Sequence, residues 1–172
     1  KADKVDFARI DQMIADAERT VRLSGNLSDA HEVLEGVRDT FLQIRKRNSI
    51  DYYIDYITKF HEPMENIVLT VKGKKAKTLT DKMLAEIRKN FTKAAKEWEK
   101  LEKASFDPVL FSFNPGKNIQ RHNYIKVETE ALGRLNAALE DNDKAAIIKA
   151  AEAIKPNFVR LFSLFGDFEK CK

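Results

Sequence analysis

Residues 80–101, TDKMLAEIRKNFTKAAKEWEKL, decide the fold class. Leu84, Ile87, Phe91, Ala94, Trp98 and Leu101 recur every three or four positions, the spacing that lines side chains along one face of a helix. Lys, Arg and Glu fill the positions between, as a solvated opposite face requires. Thr80 brings a hydroxyl that can accept from an unpaired first-turn N–H, and Asp81 suits the positive end of the helix dipole. A half-buried strand would alternate every second residue, and this stretch does not.

The same period recurs on both sides of that seam. It predicts a first helix over 5–23, with Phe7, Ile10, Ile14, Ala17 and Val21 on one side, stopped by Ser24, Gly25 and Asn26. Ser28 is the expected N-cap of a second helix carrying Ala30, Leu34, Val37, Phe41 and Ile44, which ends at Asn48 and Ser49. A third helix starts beside Asp51 and turns Tyr53, Ile57, Phe60, Met64, Ile67 and Val71 inward. Pro63 lies inside it, and its missing N–H predicts a kink or a break. A fifth helix is expected over 117–139 and a sixth from Lys144, bent at Pro156. No alternating segment lies between hairpin turns. The expectation is an all-α, antiparallel up-and-down helical bundle: a four-helix core with extra helices, up to six segments, in a single domain over 1–172.

Composition narrows the function classes. Among 172 residues, 43% are hydrophobic and 34% charged, which is enough for a packed core under a solvated surface. The net charge of +4 is spread through interleaved acids and bases, so no nucleic-acid footprint is expected. The basic stretch 72–77 reads as a solvated loop. No apolar run approaches the ~20 residues of a membrane span. Cys171 is alone, which excludes an intrachain disulfide. The first residue is Lys1, not Met, which gives the expectation of an exported or periplasmic protein. No Gly-rich loop precedes a helix in a phosphate-binding pattern, and no His partner can be assigned to the Cys, so no catalytic residue is assigned; redox or hydrolytic chemistry would need a bound metal with an open position.

One constellation carries chemistry. His31-Glu32-Val33-Leu34-Glu35 and His61-Glu62-Pro63-Met64-Glu65 repeat the pattern His-Glu-x-x-Glu. Spacing of four puts each His and its last Glu one turn apart on a helix face. In a hairpin turning at Asn48, His31 comes level with Glu65, and Glu35 with His61. Imidazole and carboxylate together suit a transition-metal ion, Zn, Fe, Cu, Mn or Ni. Glu128, on the stripe of Ile125, Leu132 and Leu135, is a candidate fifth ligand, since a carboxylate there is costly to bury unless paired or bound to a cation; the other reading is a boundary Glu paired with a Lys or Arg. Against convergence, His61 falls within an apolar stripe, Glu35 points further outward, and Arg38 can neutralise Glu35 or Glu65 as an ion pair. The first expectation is therefore a non-enzymatic metal-holding or metal-delivery bundle. The aromatic connector 105–116 should not lie bare in water: it is expected as a lid tucked over the bundle end or as an apolar docking surface. The alternative function is a metal-free module in which Phe106, Leu110, Phe111 and Phe113, with the Phe-rich end 158–168, dock a protein partner, close a small apolar cavity or sense a ligand.

The last third, Leu139-Glu140-Asp141-Asn142-Asp143-Lys144-Ala145-Ala146, an Ala-rich helix and a closing Gly166-Asp167-Phe168, resembles the final hairpin of cytochrome c′-type four-helix bundles. The resemblance implies a bundle and export, in a family of electron-transfer or gas-binding proteins. Those proteins attach haem through Cys-x-x-Cys-His. Leu161-Phe162-Ser163-Leu164-Phe165 stands at that place here, so no covalent haem and no haem ligand carry over.

Overall fold

A computed structural model of the chain describes residues 2–166; the expectations placed on Asp167, Phe168 and Cys171 lie outside the described residues. Among those described, helices dominate and no strand occurs, so the protein is an all-α helical bundle. Contacts divide the chain into two compact units, Lys1–Tyr52 and Tyr53–Lys172, where periodicity alone drew no boundary.

The N-terminal unit is a helical hairpin of α1 (Ala2–Ser24) and α2 (Leu27–Arg47). Asn26, rather than the expected Ser28, caps α2: its side-chain oxygen accepts from the backbone N–H groups of Ser28 and Asp29. An amide oxygen one residue before the helix reaches two first-turn donors, and Ser28 is already inside the turn. Ile10 and Ala17 of α1 and Ala30 and Ile44 of α2 are buried. Arg47 closes one edge by donating to Asp3 (2.7 Å) and Asp6 (2.5 Å). Those bonds set the register: the start of α1 lies beside the end of α2.

The C-terminal unit is the four-helix bundle. Its members are α3 (Tyr53–Val71), α4 (Asp81–Lys103), α5 (Pro115–Glu140) and α6 (Lys144–Ser163), with a short 3₁₀ turn at Ala76–Thr78. Neighbours in space form a closed ring, α3 on α4, α4 on α5, α5 on α6 and α6 on α3. Arg88 near the start of α4 donates to Leu139 O at the end of α5, and Trp98 Nε1 donates to Thr129 at 2.9 Å. Lys155 of α6 reaches Glu65 of α3 while Tyr53 stacks on Phe165. Those levels run in opposite senses, which is up-and-down topology. Thr80 caps α4 as expected; Asn114 and Asp143 cap α5 and α6. The core centres on Phe60, fully buried, 4.8 Å from the Trp98 ring and 5.9 Å from Phe158. Pro63 does not break α3: the helix runs through it. Burial of Phe60, Pro63, Met64 and Ile67 on one face holds the segment helical despite the lost backbone bond.

Candidate functional site

The predicted metal residues fall into two sets. In the N-terminal unit, His31 Nε2 lies 3.6 Å from Glu35 Oε1, one turn along α2 as the spacing requires. Glu35 also accepts from Arg38 Nη2, three residues on. Its charge is thus already met by a cation held on the same helix. His31 is largely exposed.

In the C-terminal unit, a single stretch of α6 meets all three candidate metal residues, His61, Glu65 and Glu128. Lys155 Nζ donates to Glu65 Oε1 at 2.7 Å. The Phe158 ring stacks on His61, 5.0 Å between centroids and 14° between planes. Asn157 faces Glu128 across the α5–α6 contact. His61 and Glu65 are half-buried, because the apolar stripe of α3 carries them to the α6 side. Glu128 is fully buried, and neither carboxylate oxygen receives a hydrogen bond; the Asn157 amide falls short of bonding geometry. Burial pushes its carboxyl up to about 8, with Asn157 and the Arg134 charge pulling weakly the other way. At neutral pH Glu128 therefore holds its proton, the usual answer to an unpaired carboxylate in a low-dielectric core. A protonated acid is a poor metal ligand.

Within each unit, no three His, Cys, Asp or Glu side chains among the described residues gather as a metal-holding group. The candidate donors have other partners within each unit: Glu35 pairs with Arg38, Glu65 with Lys155, and burial favours the acid form of Glu128.

The connector between α4 and α5 builds a different site. Asp107 accepts from Val109 N, Phe113 N donates to Pro108 O at 2.8 Å, and Ser112 takes a left-handed φ of 53° to close the turn. This tight fold aims Phe106, Phe111 and Phe113 inward onto Tyr53 and Phe165. Phe106 and Phe111 stack at 5.3 Å, and Phe113 lies 5.1 Å from Phe165. Arg121, buried in α5, places its guanidinium 4.0 Å over Phe106 and donates to Tyr53 Oη at 2.9 Å. Burial raises the Tyr53 hydroxyl, and Arg121 partly offsets it. Each such ring pair adds about 0.5–1.5 kcal/mol beyond area burial. Of the four connector residues named for a partner or ligand surface, Leu110 is exposed, Phe113 is buried, and Phe106 and Phe111 are half-buried, which is the packing of a lid tucked over the bundle end. Phe165 belongs to the Phe-rich end that the sequence groups with the connector; Tyr53 and Arg121 are not legible as partners, because their contacts join segments far apart in the chain.

Beside this cluster opens a cleft of about 870 Å³ between the start of α5 and the end of α6. Phe111, Leu164 and Phe165 give it an apolar wall; Ser112, Asn114, Lys117, Gln120 and Ser163 supply polar groups. The Lys117 ammonium sits 4.6 Å over the Phe113 ring. The segment 161–165 packs into this end of the bundle, with Leu161 fully buried. No protein-family model, curated protein or solved structure matches the chain.

Proposed function

We propose that the C-terminal unit is a non-catalytic ligand-binding module whose aromatic end takes a small amphipathic acid. The observation that carries this reading is the cleft: about 870 Å³, lined by both apolar and polar side chains, with the cationic Lys117 among them. Its size falls within the range of small-molecule sites. Phe111 and Phe165 would receive a ring or chain, and Lys117 its carboxylate. The aromatic cluster behind them, pinned by Arg121, gives a preorganised wall, which lowers the ordering cost of binding.

The test is isothermal titration calorimetry of the full chain with 4-phenylbutyrate, and with butyrate as the ring-free comparison. Binding of phenylbutyrate at least about tenfold tighter than butyrate, and lost in Lys117→Glu, is the expected result. Equal or absent heats for both acids would end the proposal.

The metal reading has less support. Its best local feature is the exposed His31–Glu35 pair, two donors where a tight site needs three or four.

A further inference from the structure

We propose that the N-terminal hairpin is half of a four-helix coil, completed by the same hairpin of a second copy of this chain. The argument begins with a column of apolar pairs. Phe7, Ile14 and Val21 on α1 recur every seven residues, and Leu27, Leu34 and Phe41 on α2 do the same. In the antiparallel register set by Arg47, Phe7 comes level with Phe41, Ile14 with Leu34, and Val21 with Leu27. The first pair is in contact, ring centroids 6.3 Å apart. A sevenfold repeat is the seam of a coiled coil, whose residues belong between helices.

Here that seam is in water. Phe7, Ile14, Val21, Leu27 and Leu34 are between 40% and 71% exposed. Scattered apolar residues on a surface mean nothing, but five on one face of a two-helix unit form a continuous patch. The neighbouring column, with Ile10, Ala17, Ala30 and Ile44, is already buried, and Arg47 with Asp3 and Asp6 closes the edge beyond it. The hairpin is finished on one side and open on the other.

Charge selects the occupant. Bordering the open column, α1 carries Asp11 and Glu18, and α2 carries His31 and Arg38. About the hairpin turn, Asp11 is level with Arg38 and Glu18 with His31. A two-fold axis along the hairpin sets each α1 antiparallel to α2 of the other copy, at that same level. Asp11 of one copy then faces Arg38 of the other, and Glu18 faces His31, each pair occurring twice by symmetry. Arg38 is half-buried, its Nη2 bound to Glu35, and Glu18 accepts from Arg22, so each cross-copy pair extends an ion pair already held on its own helix. Lys4 would come level with Arg45, a like pair, but the Arg45 guanidinium is drawn 4.7 Å over the Tyr52 ring. The area suffices as well. Helices of 23 and 21 residues side by side present a face of roughly 700 Å², close to the ~800 Å² per partner of a stable interface.

Sedimentation velocity of the full chain tests the proposal. Wild type should sediment as a dimer at tens of micromolar. Ile14→Asp, which puts a charge in the seam, should give a monomer with unchanged helical circular dichroism. Asp11→Arg, at an exposed position where unfolding is not at issue, should weaken the dimer by about tenfold or more, and adding Arg38→Asp should restore it. A wild-type chain that stays monomeric at ~100 µM would overturn the proposal, because another surface then covers the face. So would a dimer that Ile14→Asp and Asp11→Arg both leave intact, or an Asp11→Arg defect that the second change does not repair.

Discussion

The hairpin and the four-helix bundle are made of helices of similar length and the same period, yet they end in different states. In the bundle each apolar stripe has neighbours on both flanks, and Ile57, Phe60, Met64, Ile87, Leu135 and Leu161 lose all contact with water. Within the N-terminal unit each helix has one neighbour, and part of its stripe is left uncovered by that neighbour. A stripe about 100° wide cannot be covered by a single rod. Amphipathic pattern therefore says that a helix will be buried, and the number of neighbours decides how much of it is.

The largest effect that would sharpen this contrast is a cavity at the centre of the bundle. Phe60→Ala should cost about 3–5 kcal/mol in denaturant unfolding, with amide hydrogen exchange in α1 and α2 left unchanged. Exchange accelerating equally in all six helices would show instead that the two units unfold as one.

Next comes the proton on Glu128. Below the ordinary carboxyl value of 4.5 it is neutral in both folded and unfolded chains, so it contributes no slope. Between 4.5 and about 8 the unfolded chain releases the proton and the bundle keeps it. Stability must then fall as pH rises, by up to about 1.4 kcal/mol per pH unit, and level off above about pH 8. Glu128→Gln, compared with wild type from pH 5 to 9, should remove that component and be the more stable protein at the alkaline end. A wild type that gains on the variant as pH rises would contradict the burial argument.

Caps give a smaller, paired comparison. Asn26→Ala in the hairpin and Asp143→Ala in the bundle each remove a side chain that bonds two backbone N–H groups, and each should cost about 1 kcal/mol. The first should speed exchange in α2 alone and the second in α6 alone. Smallest is the expected response to metal. Zn, Cu, Mn or Ni at micromolar levels should leave the melting temperature unmoved, since Glu35 and Glu65 are already paired with cations. A rise that His31→Ala or His61→Ala abolishes would bring back the metal reading.

Local features were readable in the sequence and distant ones were not. The seam of α4, the Thr80 cap and the chance that Arg38 would neutralise Glu35 all follow from spacing within one or two turns. The stripe of α5 placed Glu128 among apolar neighbours, and its burial is the consequence. Period alone does not say where one unit ends, because the same stripe serves a hairpin and a bundle. Nor does it show that Lys155, Asn157 and Phe158 would meet Glu65, Glu128 and His61. That meeting depends on which helices become neighbours, which the antiparallel ring of α3 to α6 decides.

The single tryptophan has a practical consequence. Trp98 is buried between Phe60 and Thr129, and the N-terminal unit holds no tryptophan, only Tyr52 at its boundary. Intrinsic emission excited at the red edge of indole absorption therefore watches the bundle while the hairpin stays dark. A titration followed by that colour and one followed by ellipticity will report two different melting events whenever the two units come apart separately.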